Sequence, residues 1–269
     1  KVLRTLADNA AYAADYAGAP QKEFLTISSD GNELNAYMIK PAGFDPSRRY
    51  PVIMWQYSGP GSQEVFNRWA MDWDIYAARQ GFLVVCVDGR GTGGRGTAFR
   101  NIVYRQLGKY ETIDQLNAAR WVASLSYVNP DAIGIAGWSY GGYETLMCAT
   151  EANGPYAAAV AVAPVTSWRL YDTVYSERFM LTPQQNGPAY DSGAPLERAS
   201  SLACPLLIMY GTADDNVHLT NTIEFVSALQ KADRYCDMLL FPEMNHSING
   251  CDARALVYGR MLRYFSDNL

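Results

Sequence analysis

Short, nearly continuous apolar segments are the feature of this sequence that most limits its fold. They cover residues 52–57, 82–87, 132–136 and 206–209. Apolar runs of this length without a polar alternation predict strands that are buried on both faces of a parallel sheet. Segments with helical periodicity lie between them, at residues 69–80, 112–125 and 221–231. Alternating strands and helices predict an α/β fold with a doubly wound, mostly parallel sheet and helices on both faces.

The first forty residues have a different character. Residues 2–16 are alanine-rich and predict a helix, and residues 23–28 and 34–39 flank an Asp-Gly-Asn turn at 30–32. Two strand-like segments around such a turn predict an antiparallel hairpin. With 269 residues, of which 49% are hydrophobic, the chain is long enough to build one large domain over residues 1–269.

Charge and cysteine spacing exclude several classes of function. The net charge is -5, without a long run of either sign, so we expect neither nucleic acid nor an anionic membrane surface as a partner. No stretch reaches the roughly 18 consecutive apolar residues of a membrane span. The five cysteines show no Cys-x-x-Cys spacing and the two histidines form no cluster, so we expect no zinc site.

One serine lies in the sequence context of a nucleophile. Ser139 is flanked by Gly137 and Gly141, follows the apolar segment 132–136 and precedes a helical pattern at 142–150. A strand, a Gly-x-Ser-x-Gly turn and a helix in this order predict the nucleophile elbow of an α/β-hydrolase. Side chains two positions either side of the serine would collide in so sharp a turn, and the helix N-terminus would face a developing oxyanion. The alternative is a glycine-rich structural turn with an incidental serine.

The candidates for the general base and its acid partner come later in the chain. A serine nucleophile needs a base, usually histidine, and the chain has only His218 and His246. His246 follows a late strand pattern at 237–241, where α/β-hydrolases carry the base, whereas His218 opens a helical pattern and is interpreted as a cap or surface residue. Asp214 and Asp215 are both candidates for the acid that orients the histidine, and whichever of the two is not that acid would cap the following helix. Spacing alone does not separate them.

A long segment interrupts the alternation of strands and helices. Residues 165–202 combine aromatic side chains with Pro and Gly punctuation. An insertion of this kind between strands is typical of a lid or a substrate wall. The alternative is that the aromatic residues simply pack the insertion against the sheet. They are Trp168, Tyr171, Tyr175, Phe179 and Tyr190.

Several motifs along the chain are more specific together than any one of them alone. They are residues 57–61 (YSGPG), 87–91 (VDGRG), 137–143 (GWSYGGY), 163–165 with Trp168, 171–178 (YDTVYSER) and 211–218 (GTADDNVH). With these motifs the chain resembles the catalytic domain of the dipeptidyl peptidase IV group in the prolyl oligopeptidase family, over most of its length from the hairpin onward. The resemblance implies a serine peptidase that releases X-Pro or X-Ala dipeptides from peptide N-termini through an acyl-enzyme, without a metal or cofactor.

The same resemblance implies roles for individual residues. It assigns Asp214 as the acid of the triad, and the Tyr57 hydroxyl and the Tyr140 backbone N–H as oxyanion donors. Asn216 would donate to a substrate carbonyl, with Arg178 in a supporting role nearby. An aromatic slot without polar groups suits a proline ring, which is compact, apolar and has no N–H. The residues implied to line that slot are Tyr140, Val165, Trp168, Tyr171, Tyr175 and Val217.

Two departures from the family bear on function. Relatives carry an upstream β-propeller whose paired glutamates hold the amino terminus of the substrate, but this chain is too short for one and shows no blade repeats. We therefore expect residues 1–269 to be the C-terminal peptidase domain of a longer protein, weakly active on dipeptidyl substrates when isolated. Ser247 stands where relatives usually carry glycine, so the loop after His246 need not share their geometry. The resemblance further implies a homodimer and a periplasmic or extracellular location.

Three other functions remain open at this point. One is another activity of the same family, as an oligopeptidase or acylaminoacyl peptidase. A second is hydrolysis of small esters. A third, of a different class, is a non-catalytic binding module that keeps the enzyme fold.

Overall fold

A single eight-stranded sheet organises the computed structural model, which describes residues 2–250 and 252–269. The strands lie in the order β1-β2-β4-β3-β5-β6-β7-β8. Pairs β1–β2 and β2–β4 are antiparallel and all the others are parallel. The strands are β1 (Lys22–Ser29), β2 (Asn32–Ile39), β3 (Tyr50–Trp55), β4 (Leu83–Asp88), β5 (Val128–Trp138), β6 (Ala158–Val162), β7 (Leu206–Gly211) and β8 (Asp237–Phe241).

Helices cover both faces of this sheet. Helices α2 and α9 pack on one face through residues such as Ile75 and Phe265, and α4, α5 and α8 pack on the other through Val122, Leu146 and Phe225. The helices are α1 (Ala10–Asp15), α2 (Trp73–Arg79), α3 (Thr97–Asn101), α4 (Lys109–Ala123), α5 (Tyr140–Ala149), α6 (Thr173–Met180), α7 (Pro183–Ser192), α8 (Thr220–Lys231) and α9 (Ala253–Asn268). The predicted α/β-hydrolase fold and the N-terminal hairpin are both confirmed.

Several local predictions differ from the structure. The helix predicted over residues 2–16 is limited to α1, which buries no residue, and a helix this short is marginal without packing. The helix predicted from residue 69 begins only at Trp73, because Asp72 before it is extended. Strand β6 and helix α9 were not predicted, although β6 is fully buried between β5 and β7.

The aromatic insertion is helical. It contains a 3₁₀ turn at Trp168–Leu170, helices α6 and α7, and a 3₁₀ segment at Pro195–Ser201. Thr182 and Gln185 form a capping box at the start of α7. In this arrangement each side chain bonds to the backbone N–H of the other residue. Among the described residues, no helix combines the length and apolar character needed to cross a membrane.

Candidate active site

The three predicted triad residues lie at the same edge of the sheet. Ser139 directly follows β5, Asp214 follows β7, and His246 follows β8. These strands run parallel to their neighbours in the sheet, so their carboxyl ends point the same way. Ligand and catalytic sites of open α/β sheets form at this edge.

Ser139 lies on a strained turn. Its backbone has a φ of 60° and a ψ of -115°. Residues other than glycine rarely adopt a positive φ. Its N–H donates to the Val162 carbonyl at 2.8 Å, which ties the turn to β6. A Cβ atom at Gly137 would collide with the Gly141 backbone, and one at Gly141 would collide with the Gln56 carbonyl. The two glycines are therefore required by close backbone contacts, as predicted for an elbow.

A buried carboxylate holds the histidine. The Nδ1 atom of His246 lies 2.7 Å from Oδ2 of Asp214, whose side chain is fully buried. The other oxygen of Asp214 accepts hydrogen bonds from the N–H groups of Asn216 (3.0 Å) and Val217 (2.9 Å). Asp215 is exposed, so the structure brings Asp214, and not Asp215, to the imidazole. His218 is also exposed.

Two residues that the sequence did not point out anchor the histidine loop. The indole N–H of Trp138 donates to the His246 carbonyl at 2.9 Å. Arg254 stacks its guanidinium 5.1 Å from the centre of the Trp138 ring and donates from Nε to the Ser247 carbonyl at 3.2 Å. Trp138 carried a signal, since it lies inside the nucleophile motif, whereas nothing in the sequence connected Arg254 to the loop.

Tyr57 follows β3 and packs beside Tyr140, the first residue of α5. Its ring packs 6.0 Å from the Tyr140 ring, and a Cβ atom at Gly59 would lie 2.6 Å from its edge. Burial raises the pKa of the Tyr57 hydroxyl, and an interaction with the Ser139 side chain partly offsets this rise. The hydroxyl is therefore a neutral donor beside Ser139. Tyr140 begins α5, so its N–H belongs to the first turn and has no acceptor within the helix.

The Tyr140 side chain is bonded to Glu111, an acid that was not predicted from the sequence. Its hydroxyl donates to Oε1 of Glu111 at 2.8 Å, and both residues are buried. Burial raises the pKa of the Glu111 carboxyl to about 7. The second oxygen of that carboxyl has no hydrogen-bond partner among the described residues. The predicted helix began only at residue 112, one position after this glutamate, whereas α4 begins at Lys109.

The residues predicted to line an aromatic slot form one cluster. Val165, Trp168 and Val217 are buried in it. The Trp168 ring lies 5.4 Å from the Tyr140 ring and stacks on Tyr175 at 5.7 Å. The remaining member, Tyr171, is half-buried and meets Trp168 edge-on at 6.0 Å. These rings form an apolar wall next to the backbone of the nucleophile helix.

The two predicted polar residues of the substrate site lie at its rim. Asn216 is exposed and its Oδ1 accepts the Tyr171 hydroxyl at 2.8 Å, so its amide N–H₂ group faces away from that bond. Arg178 is exposed on α6, with its guanidinium 5.4 Å from the Phe179 ring. It lines a cavity of about 560 Å³ together with Pro60 and Arg100, and it makes no hydrogen bond to Asn216 in the described part of the chain.

Comparison with known proteins agrees with this geometry. The sequence profile of the prolyl oligopeptidase family matches residues 69–269. A probable dipeptidyl-aminopeptidase B of Ajellomyces capsulatus (strain H88) is 44% identical over 246 residues, which cover 89% of this chain and 27% of that protein. The protein of the same name from Grosmannia clavigera is 46% identical over 235 residues, covering 85% of this chain and 24% of that protein.

Two solved structures share the fold over nearly the whole chain. Dipeptidyl peptidase 4 of Porphyromonas gingivalis has a TM-score of 0.96 at 49% identity, covering 99% of this chain and 38% of that one. A putative dipeptidyl aminopeptidase IV of Bacteroides ovatus has a TM-score of 0.90 at 35% identity, covering 94% and 36%. This chain spans about a quarter of the length of the curated relatives. It belongs to the prolyl oligopeptidase family.

Proposed function

We propose that this chain is the peptidase domain of a serine dipeptidyl peptidase that releases X-Pro or X-Ala dipeptides from peptide N-termini. The observation that carries the proposal is the buried Asp214 carboxylate at 2.7 Å from Nδ1 of His246, at the sheet edge where Ser139 occupies a strained elbow. The relatives and structural neighbours described above are named as dipeptidyl peptidases or dipeptidyl aminopeptidases, which agrees with it.

In the proposed reaction, Ser139 attacks the carbonyl carbon of the scissile bond. His246 takes the hydroxyl proton on Nε2 and later donates it to the leaving amine. Asp214 keeps the other imidazole proton on Nδ1 and stabilises the imidazolium, and its two backbone hydrogen bonds prevent it from rotating away. Water then attacks the acyl-enzyme. His246 takes a proton from the water and donates it to the Ser139 oxygen, which leaves as a hydroxyl.

The negative charge of the tetrahedral intermediate would be stabilised by two donors. One is the Tyr57 hydroxyl, which is protonated at neutral pH as any tyrosine is, and whose pKa burial raises further. The other is the backbone N–H of Tyr140, at the positive end of α5. Fixed donors of this kind act on charge that develops only in the transition state, and loss of one typically costs about 10²–10³ in kcat.

Substrate selection is proposed to occur at the aromatic cluster. Trp168 and Val217 are buried in an apolar cluster against which Tyr175 packs, and a proline or alanine side chain would leave no polar group of its own unpaired against such a surface. Asn216 would donate its free amide to a substrate carbonyl and Arg178 would support it from the rim. The amino terminus of the substrate would be held outside this chain.

The longer relatives motivate a proposal about partners. Since this chain covers only 27% of one curated relative and 38% of a solved neighbour, we propose that a further domain, a β-propeller upstream, completes the substrate site. A homodimer through the hydrolase domain and a periplasmic or extracellular location are proposed from the family resemblance alone.

A substrate panel tests this function. The longest natural protein that contains this chain would be assayed with Gly-Pro and Ala-Pro p-nitroanilides, with their N-blocked forms and with p-nitrophenyl acetate. We expect hydrolysis of the free-amine substrates and loss of it in Ser139→Ala. Equal cleavage of blocked substrates would indicate an oligopeptidase or acylaminoacyl peptidase instead. Hydrolysis of the acetate alone would indicate an esterase, and no hydrolysis at all a binding module.

A further inference from the structure

A buried amide side chain connects the predicted oxyanion tyrosine to the nucleophile helix. Gln56 directly precedes Tyr57 and is fully buried. Its Nε2 donates to the Gly141 carbonyl at 2.7 Å and to Oγ1 of Thr145 at 3.1 Å. Both acceptors belong to the first two turns of α5. The amide therefore links the segment 56–60, which we call the Tyr57 loop, to the helix whose first N–H would bind the oxyanion.

The residue on the other side of Tyr57 completes this link. Ser58 is buried and has a φ of 65°, a conformation that a serine adopts only where its surroundings hold it. Its hydroxyl donates to Oε1 of Gln56 at 3.0 Å and accepts from Nε2 of Gln115 at 3.1 Å. Gln115, on α4, also donates to the Val87 carbonyl at 3.0 Å. Tyr57 is thus flanked by two side chains in one buried network.

Backbone hydrogen bonds are sparse at Tyr57 and Ser58 themselves. In the part of the chain that the structure describes, the N–H groups of Tyr57 and Ser58 donate to no backbone carbonyl. The last backbone bond of the strand is from the Gln56 N–H to the Ala136 carbonyl. Farther along the loop, the Gly59 carbonyl accepts hydrogen bonds from the N–H and hydroxyl of Ser62 at 2.9 and 2.6 Å. At Tyr57 itself, the hydrogen bonds that hold the loop come from the side chains of residues 56 and 58.

The elbow, by contrast, has backbone hydrogen bonds that do not involve the Gln56 side chain. The Ser139 N–H is bonded to the Val162 carbonyl at 2.8 Å, and the Ser139 carbonyl accepts the Tyr143 N–H at 2.9 Å. Gly137 and Gly141 pack closely against the Gln56 carbonyl, a backbone contact that does not depend on the Gln56 side chain. Removal of the Gln56 amide leaves the Ser139 hydrogen bonds in place, so we expect it to displace Tyr57 more than the nucleophile.

We propose that Gln56 and Ser58 are positioning residues that fix the Tyr57 hydroxyl relative to the N-terminus of α5, so that both oxyanion donors converge on one point. The proposal rests on the proposed function. Its physical basis is that a donor aimed at the transition state loses most of its effect when it is displaced by about 1 Å. Gln56 and Ser58 themselves touch no substrate and act through Tyr57.

A double-mutant cycle between Gln56 and Tyr57 tests this role. Gln56→Met removes the amide but keeps a side chain of similar length. With Tyr57 present, we expect Gln56→Met to lower kcat on Gly-Pro p-nitroanilide by about 10- to 100-fold and to change KM by less than about twofold. In the Tyr57→Phe background, which lacks the hydroxyl to be positioned, the same substitution should lower kcat less than about threefold.

A matched control separates positioning from general destabilisation. Thr150 is buried at the end of α5 and its hydroxyl donates to the Leu146 carbonyl at 2.8 Å. Thr150→Val also removes a buried hydrogen bond, so it should lower Tm while leaving kcat unchanged. If Gln56→Met does not fold, Ser58→Ala enters the same cycle, since it removes only a hydroxyl.

The outcomes distinguish this role from the proposed function. The positioning role is overturned if Gln56→Met and Ser58→Ala lower kcat by the same factor with and without the Tyr57 hydroxyl. It is also overturned if they lower Tm as Thr150→Val does and leave kcat intact. Absence of any hydrolysis by the unsubstituted protein contradicts the proposed function itself, and the positioning role then falls with it.

Discussion

The catalytic edge of the sheet and the wall of the aromatic cluster are held in place by different forces. At the edge, Asp214 and His246 are fixed by hydrogen bonds of 2.7–3.0 Å, two of them from backbone N–H groups. In the wall, Trp168 is fixed by four rings at 4.8–6.0 Å from its own, two from the insertion and two from α5. Hydrogen bonds restrict direction as well as distance, whereas ring packing mainly fills volume.

This difference matches what each region is proposed to do. Proton transfer and oxyanion binding require atoms placed within fractions of an ångström. Recognition of a compact apolar ring requires a surface of the right shape and no unpaired polar group. Substitutions at the catalytic edge should therefore lower kcat without loss of stability. Substitutions in the aromatic wall should lower stability and raise KM.

The largest effect is expected from Asp214. Asp214→Asn should lower kcat by about 10⁴-fold, because an amide in that position favours the wrong imidazole tautomer and no longer stabilises the imidazolium. Steady-state kinetics on Gly-Pro p-nitroanilide would measure it. Asp215→Asn is the matched control, since Asp215 is the exposed neighbour, and should leave kcat nearly unchanged. Equal losses in both variants would contradict the assignment.

Trp168→Ala should show the opposite signature. Removal of a fully buried indole that contacts four aromatic rings is expected to lower the free energy of unfolding by about 3–5 kcal/mol and to raise KM for prolyl substrates. Urea denaturation and steady-state kinetics would measure the two effects.

Tyr190→Phe provides the control for Trp168→Ala. Tyr190 is buried in the same cluster, but its hydroxyl only donates to the Leu181 carbonyl, at 2.6 Å. Its loss should cost about 1 kcal/mol without a change in KM. A Trp168→Ala variant that lost kcat alone, with normal stability and KM, would break the distinction between the two regions.

A smaller effect, on the pH dependence of stability, is expected at Glu111, which bonds the Tyr140 hydroxyl. Burial raises the Glu111 pKa to about 7, against an ordinary value of 4.5, so the folded protein keeps this proton up to a higher pH than the unfolded chain does. Ionisation of Glu111 therefore opposes folding increasingly between about pH 4.5 and pH 7. Glu111→Gln removes this cost, and the stability of the variant relative to the wild type should rise by about 2 kcal/mol from pH 5 to pH 8.

Urea denaturation at the two pH values measures the Glu111 effect. Glu224→Gln, on the exposed face of α8, is the control and should change stability equally at both. A relative stability of Glu111→Gln that stayed constant or fell with rising pH would show that the carboxyl does not retain its proton in the folded protein.

Sequence reasoning reached the residues whose signal is local. Ser139 was visible because its glycines, strand and helix are contiguous, and His246 because only two histidines are present. Strand β6 was missed because its sequence, AAVAV, is short and rich in alanine, which favours helices. Its burial between two other strands outweighs that preference.

The supporting residues were missed for a different reason. Gln56 is bonded to Gly141 across 85 positions of the chain, and Trp138 to His246 across 108. Glu111 lies in a helix of mixed polarity whose buried face includes acids. Gln56 and Glu111 are polar and would be exposed by default, so only the folded arrangement reveals that they are buried and bonded. The Trp138 indole finds its acceptor only when the chain folds.

The central claim, that Ser139 is an activated nucleophile, is tested most directly by covalent labelling. The protein would be treated with a fluorophosphonate probe, digested, and the modified peptide identified by mass spectrometry. A single adduct on Ser139, absent in Ser139→Ala, is the predicted result. No adduct, or an adduct on another serine that persists in Ser139→Ala, would contradict the account.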